Sequence, residues 1–322
     1  MTTDITYSIV VPLYNEELVI NETYSRLKTI MNSTNEHYEI IFINDGSHDN
    51  TRELTQEICE RDKNIRLINF SRNFGHQCAI TAGMENSCGK AVIVIDADLQ
   101  DPPEVILEMI QKWKEGYDVV YGQREKRQGE SFFKKFTAKT FYRMLDSLTS
   151  ISIPVDTGDF RLIDRKVCNV LNSLPERNRY VRGLVSWIGF NQTSVKFTRH
   201  ERFAGDSKYP LKKMLKLALD GITSFSYKPL ILSLYIGAAS LFLGVVCIIA
   251  ILIRYIISGT SIVNFGLLIG INFLMFGVVL SCIGVIGQYL GRIFDESKNR
   301  PNYIIKNIIN KNKACDNHES NS

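Results

Sequence analysis

Ala91-Val-Ile-Val-Ile-Asp-Ala-Asp-Leu-Gln-Asp-Pro-Pro103 is the stretch on which the reading of the fold turns. Five apolar residues run without a polar break, the pattern of a strand buried on both faces. They give way at once to Asp96, Asp98, Gln100 and Asp101, and two prolines then bar any continuation of the strand. A buried strand that empties into carboxylates fits an open α/β sheet, where ligands gather beyond the carboxyl ends of the strands.

Working outward, the same grammar repeats. Strands are predicted at Tyr7–Leu13 (YSIVVPL), Tyr38–Asn44 (YEIIFIN), Ile65–Phe70, Ala91–Ile95 and Tyr117–Tyr121. Between them lie helical patterns at Glu16–Met31, Thr51–Asp62, Gln77–Ser87 and Pro103–Lys114. This alternation predicts an α/β domain with a mostly parallel sheet and helices on both faces. The first strand is followed by Asn15-Glu16-Glu17, and the second by Asp45-Gly46-Ser47-His48-Asp49. One such cluster is an ordinary helix cap, and Asp45 or Asp49 fits that role. Three clusters at one sheet edge exceed what capping needs.

The sheet does not carry the usual nucleotide loops. No G-x-G-x-x-G follows the first strand, and Gly89-Lys90 lacks the flanking residues of a phosphate-cradling loop. The acidic run has a different use. On an extended segment, residues i, i+2 and i+4 point the same way, so Asp96, Asp98 and Gln100 are expected to converge. Two carboxylates and an amide oxygen suit a hard cation such as Mg²⁺ or Mn²⁺.

Composition bounds the rest. Of 322 residues, 45% are hydrophobic and 22% charged, which excludes disordered, collagen-like and disulfide-dense chains. The average hides a division. The 63 residues between Lys228 and Arg292 hold one charge, Arg254, so the other 259 positions carry 71 of the 72 charged residues. Pro229–Ile253 and Tyr255–Gly291 are uncharged runs long enough to span a bilayer, which takes about 20 residues. Ile256–Asn264 contains Gly and Ser and reads as a short turn between them. Lys208, Lys212, Lys213, Lys216 and Lys228 flank one side, and Arg292, Lys298, Arg300 and Lys306 the other. The positive-inside rule then sets both ends in the cytoplasm.

The predicted organisation is a catalytic body over residues 1–195, a basic juxtamembrane segment over 196–228, helices at about 229–253 and 262–290, and a tail over 292–322. From Lys196 to Lys228 eight Lys or Arg face three acids, which reads as contact with anionic headgroups or an anionic lipid substrate, or as a topology signal alone. Leu211–Phe225 and Ser131–Leu145 mix basic residues with apolar ones and read as surfaces that lie on the bilayer. The seven cysteines show no C-x-x-C pair and read as reduced cytosolic thiols. The polar Met1–Tyr7 segment does not read as a signal peptide. Residues 310–322 are polar and read as disordered.

Taken together, Val11-Pro-Leu-Tyr-Asn-Glu-Glu17, Asn44-Asp-Gly-Ser-His-Asp-Asn-Thr51, Ser71-Arg-Asn-Phe-Gly75 and Asp96–Pro103 resemble family 2 glycosyltransferases of the GT-A fold. Asp156-Thr-Gly-Asp-Phe-Arg161, Arg179-Tyr-Val-Arg-Gly183, Arg202-Phe-Ala-Gly-Asp-Ser-Lys-Tyr209 and the hairpin narrow the likeness. They resemble bacterial polyprenyl-phosphate glycosyltransferases, of the bactoprenol glucosyltransferase and dolichol-phosphate mannose synthase type. The resemblance implies that Pro12, Tyr14, Glu16, Asp45 and Asp96 bind the nucleotide sugar. It implies a metal and diphosphate site at Asp96, Asp98 and Gln100, and a catalytic carboxylate at Asp159, with Asp156 the alternative. Arg124, Arg127, Arg202, Ser207 and Lys208 are implied for the donor diphosphate or the lipid phosphate. Asn44 departs from the family pattern, where a second aspartate is common.

The implied reaction is transfer of glucose or N-acetylglucosamine, with inversion, from a UDP-sugar to undecaprenyl phosphate at the bacterial plasma membrane. The implied partners are the bilayer, further copies of the chain (a tetramer), a downstream flippase and a second glycosyltransferase, with no nucleic acid. Two rival readings are a non-catalytic nucleotide-sugar scaffold and a processive polysaccharide synthase. The first predicts a damaged acidic site, and Asp96, Asp98, Gln100 and Asp159 are all present. The second predicts a longer membrane region and a Q-x-x-R-W motif, and neither Trp113 nor Trp187 follows an arginine.

Overall fold

A computed structural model describes residues 5–125, 154, 157–177, 179–199, 226–258 and 265–310. Four strands form where the apolar runs predict them: β1 (Tyr7–Leu13), β2 (Tyr38–Asn44), β3 (Ile65–Phe70) and β4 (Ala91–Val94). Every residue in them is buried. Helices α1 (Ile20–Ser33), α2 (Thr51–Arg61) and α3 (His76–Glu85) connect them, and α4 (Val105–Lys114) leads to β5 (Val119–Arg124). Strand β1 is central, with parallel partners on both sides: Tyr7 lies beside Tyr38 of β2 and beside Ala91 of β4.

Alternation along the strands builds two cores. Tyr7, Ile9 and Val11 of β1 pack with Ile40 and Phe42 of β2 against Leu27, Ile58 and Ile106 from α1, α2 and α4. Val10, Ile41 and Ile43 face the other way, onto Ala79 and Ile80 of α3. Helix α3 can sit this close because it is built from small residues. A Cβ on Gly83 would overlap the methyl groups of Val10 and come within 2.9 Å of Ile43 Cδ1.

Beyond β4 the sheet departs from the sequence expectation. Strand β5 does not pair with β4. Strand β6 (Thr157–Asp164) runs antiparallel between them, followed by α5 (Arg165–Ser173), α6 (Val181–Trp187) and β7 (Gln192–Phe197). With β8 (Ile305–Ile309) at the far edge, the full order is β7-β5-β6-β4-β1-β2-β3-β8, GT-A-like, with four parallel and three antiparallel pairings. Two charged residues inside β6, Asp159 and Arg161, hide its strand character from an apolar-run reading, yet both are buried.

Helices α7 (Lys228–Ser258) and α8 (Phe265–Ser297) are each long and apolar enough to cross a membrane. Their large apolar side chains, Leu234, Phe242, Phe273 and Leu280 among them, are exposed. Tyr289 Oη of α8 donates at 2.6 Å to the carbonyl of Ser226, two residues before α7 begins.

After α8 the chain returns to the sheet. Strand β8 (Ile305–Ile309) pairs antiparallel with β3, and Tyr303 stacks on Phe70 with ring centres 5.1 Å apart. Asn310, the first residue of the stretch read as disordered, is held against the sheet, and residues 311–322 lie outside the described residues. Asn310 Nδ2 donates to the carbonyls of Cys59, Asp62 and Ile65. The stretches 131–145 and 211–225 lie outside the described residues.

Candidate active site

In an open α/β sheet the ligand crevice forms where the strand order reverses. From β1 the chain steps to β2 and β3, and α3 then carries it back across β1 to β4. The reversal therefore lies between β1 and β4, and Asp96 stands just beyond the carboxyl end of β4. Antiparallel β6 pairs with β4 as far as Val94 opposite Arg161, and just past that pair His76 Nε2 lies 3.5 Å from Asp96 and 3.2 Å from Asp159. Two carboxylates from segments about sixty residues apart in the chain share one strand edge.

The segment that carries Asp96, Asp98 and Gln100 is not the extended one that strand alternation requires. The chain turns instead: Leu99 adopts φ +58°, and Asp98 Oδ1 accepts from the Gln100 backbone N–H at 3.1 Å. A left-handed residue breaks the two-residue repeat, so the turn governs where these side chains lie. Asp98 and Asp101 are buried. Asp96 Oδ1 is also buried and has no hydrogen-bond donor against it. The nearest charged neighbour is His76, with Nε2 at 3.5 Å. Burial raises the Asp96 pKa, the charges of Asp159, Asp98 and Asp101 add to the effect, and His76 opposes it.

Asp159 is surrounded differently. Arg182 Nε donates to its Oδ1 and Nη2 to its Oδ2, both at 2.8 Å, a two-pronged pair. His76 Nε2 at 3.2 Å and Gln77 Nε2 at 3.3 Å complete the shell around Oδ2. Burial alone raises a carboxyl pKa, but Arg182 and His76 outweigh it and hold Asp159 well below the usual range. Burial likewise lowers the His76 pKa, and the Asp159 hydrogen bond with the charges of Asp96 and Asp159 overrides it, pushing it up to about 9.

The loop that delivers His76 is shaped by Asp45. Its carboxylate accepts from the backbone N–H groups of Phe74 at 2.6 Å and Gly75 at 2.9 Å. Burial raises its pKa, and these two donors lower it. Asp45 therefore does not cap its own helix. Gly46 in the next position has φ +66°, and a Cβ there would lie 2.6 Å from the Arg72 backbone. Asn44, at the position that departs from the family pattern, donates to Asn69 Oδ1 at 2.8 Å and accepts from Ser47 N.

Beside this loop Asn15, Glu17, Leu18, His48 and Asp49 line a recess of about 370 Å³. Tyr14 lies edge-on to His48 with ring centres 6.4 Å apart. Pro12 is buried within β1, and the Glu16 N–H donates to Thr51 Oγ1 at 2.8 Å. On the far side, Arg124 at the end of β5 pairs with Asp101 at 3.1 Å, and Arg199 Nε approaches the same carboxylate at 3.5 Å. Arg127, Asp156, Arg202, Ser207 and Lys208 lie outside the described residues.

Sequence reasoning did not assign a role to His76, Gln77, Arg182, Asp101 or Arg199. Arg182 falls within the quoted Arg179–Gly183 motif and His76 follows Gly75 directly, so the motifs held the signal. Among the described residues, no cluster of three His, Cys, Asp or Glu side chains encloses a cation by itself. Cys59, Cys78, Cys168, Cys247 and Cys282 are free thiols, whereas Cys88 is disulfide-bonded, against the expectation of reduced thiols throughout.

Comparison with known proteins accounts for this arrangement. The chain is 56% identical to "Uncharacterized glycosyltransferase YkcC" of Bacillus subtilis (strain 168), over 99% of its own length and 100% of that protein's. It is 41% identical to the "Bactoprenol glucosyl transferase" of Shigella phage SfV, covering 93% and 98% of the two chains. Among solved structures it is similar to glucosyl-3-phosphoglycerate synthase from Mycobacterium tuberculosis, with TM-score 0.48 and 18% identity over 68% of this chain and 76% of that one. Residues 8–171, which carry Asp96 and Asp159, match the model of glycosyl transferase family 2. The chain belongs to glycosyl transferase family 2 and is a glycosyltransferase.

Proposed function

We propose that this protein moves a sugar, glucose or N-acetylglucosamine, from a UDP-sugar to undecaprenyl phosphate, giving a polyprenyl-monophosphate sugar for cell-envelope glycan modification. The observation that carries this reading is a family 2 domain joined to a two-helix apolar hairpin, in a chain similar along nearly its whole length to a protein named bactoprenol glucosyl transferase. The hairpin would hold the catalytic body at the cytoplasmic face of the bacterial plasma membrane, with both ends inside as the flanking charges favour. A lipid phosphate then reaches the site while its tail stays in the bilayer.

The donor nucleoside is assigned to Pro12, Tyr14, Glu16 and Asp45, next to the recess lined by Asn15, Glu17, Leu18, His48 and Asp49. Asp96, Asp98 and Gln100 are the residues that would hold Mg²⁺ or Mn²⁺. Their oxygens are hard donors, and Asp96 Oδ1, buried without a hydrogen bond, suits a cation ligand. Since no cluster among the described residues encloses an ion alone, donor diphosphate oxygens would complete its coordination, the usual arrangement for Mg²⁺. Such an ion supplies neutralisation of the charge that builds on the leaving diphosphate. Arg124, oriented by Asp101, and Arg127, Arg202, Ser207 and Lys208 are assigned to donor or acceptor phosphates.

The acceptor needs little activation, because a phosphate monoester with a second pKa of about 6 is mostly dianionic at neutral pH. Its oxygen attacks the anomeric carbon from the face opposite the leaving UDP, and the configuration inverts. The sugar lipid then passes to a translocating protein and a second transferase. The test is to incubate membranes containing the protein with undecaprenyl phosphate, Mn²⁺ and a panel of UDP-sugars, then weigh the lipids by mass spectrometry. The expected result is one added hexose or N-acetylhexosamine per lipid phosphate. Absence of transfer from every donor rejects the reading.

A further inference from the structure

The surroundings of Asp159 do not suit a proton acceptor. A general base must reach the proton it takes and must have a lone pair free to receive it. Both oxygens of Asp159 are engaged: Arg182 Nε on Oδ1, and Arg182 Nη2, His76 Nε2 and Gln77 Nε2 on Oδ2. The Asp159 side chain is 3% exposed, against 25% for Arg182 and 33% for His76. The carboxylate lies behind the two cationic or N–H-bearing groups that face the crevice.

The shell is tied to the fold at every point. Gln77 Oε1 accepts from the Val181 backbone N–H at 3.0 Å, which links the start of α3 to the start of α6. Arg182 Nη1 reaches the Thr157 carbonyl at 3.4 Å, back on β6. His76 is the first residue of α3, delivered by the loop that Asp45 grips. Arg161, buried two residues along β6, donates to the Gly158 carbonyl, and Asp96 completes the charged surroundings from β4. Three segments distant in sequence thus meet on one carboxylate.

We propose that Arg182 and His76 are the groups this edge presents to the acceptor phosphate, and that Asp159 is a positioning residue that holds them there and not the base of the reaction. The guanidinium N–H groups that Asp159 does not use, with the His76 ring beside them, match the oxygens of a phosphate monoester. Because that monoester is already anionic, displacement proceeds without a protein base: its oxygen forms the new bond to the anomeric carbon, and the electron pair of the breaking bond leaves with UDP. This inference rests on the function proposed above.

The test measures transfer from UDP-glucose to undecaprenyl phosphate with Mn²⁺, for the full-length protein, between pH 6 and pH 8.5. If wild type transfers no sugar, the functional reading fails and not this inference. Asp159→Asn keeps the shape and removes the charge. On the positioning account it loses about 100-fold or more in kcat/KM for the acceptor, and raising the pH restores none of it. Arg182→Gln loses a similar factor, and the double variant is no more than about threefold worse than either, as for groups that act as one unit. Arg182→Lys keeps a charge without the fork and raises the acceptor KM more than the donor KM. Recovery of Asp159→Asn to within threefold of wild type at pH 8.5, where the acceptor is fully ionised, would mark Asp159 as a base and overturn the proposal. Near-normal transfer by Arg182→Gln would overturn it as well. Retained UDP binding by each variant reports folding, and if Asp159→Asn does not fold, the Arg182→Lys KM comparison decides: a donor KM that rises as much as the acceptor KM overturns the proposal.

Discussion

Asp96, just beyond β4, and Asp159, on neighbouring β6, lie within reach of one histidine, yet their surroundings drive them in opposite directions. Asp96 has a buried oxygen with no donor against it, and its pKa is raised. Asp159 has both oxygens hydrogen-bonded, and its pKa is held well below the usual range. Neighbouring carboxylates pushed apart in this way commonly divide a task between them. Here the under-bonded one is suited to take a ligand from outside, and the fully engaged pair of oxygens on the other is suited to hold side chains in place.

The largest effect expected from this division is on activity. Asp96→Asn lowers kcat/KM by about 10²–10³-fold, the usual cost of losing an electrostatic contact to a leaving group. Chelation by EDTA abolishes transfer and added Mn²⁺ restores it in the wild type, both read by sugar-lipid formation. Asp98→Ala behaves like Asp96→Asn, and full activity in Asp98→Ala would break the metal assignment.

Stability separates the two residues next. Asp159→Asn leaves the Arg182 fork without its counter-charge, so thermal unfolding reports a loss of about 3 kcal/mol. Asp96→Asn removes a carboxylate that burial disfavours, so the same scan shows no loss, or a gain of up to about 1 kcal/mol. Equal destabilisation by both substitutions would erase the contrast.

How far this contrast was readable beforehand depends on what kind of information carried it. Strands β1, β2 and β3 appear at their predicted limits because each is an apolar run bounded by polar residues, a local property. The acidic clusters at the strand ends were legible for the same reason, and so were the two long apolar helices. Strand β6 was not, since its interior charges become tolerable only when Arg182 and His76 arrive from elsewhere in the chain. The placement of Asp98 and Gln100 also escaped, because a single left-handed residue, Leu99, replaced the expected extension. Strand β8 escaped because Ile305–Ile309 is short, and only the unpaired edge of β3 gives it a place to add. Partners separated by long stretches of sequence leave no periodic trace.

The smallest expected effect is on pH dependence. A carboxylate with a depressed folded pKa contributes stability that is complete above its unfolded value, near 4, and is lost as the pH falls toward the folded value. Wild type should therefore lose stability more steeply than Asp159→Asn below about pH 4, as read by denaturant melts at stepped pH. Parallel acid limbs would show that Asp159 is not the buried anion described.

The most direct test is calorimetric titration of UDP into the purified full-length protein with and without Mn²⁺, for wild type, Asp96→Asn and Asp159→Asn. The account predicts that Mn²⁺ tightens UDP binding by wild type, that Asp96→Asn loses this enhancement, and that Asp159→Asn keeps it to within about threefold. Mn²⁺-dependent UDP binding that survives Asp96→Asn and disappears in Asp159→Asn would contradict it.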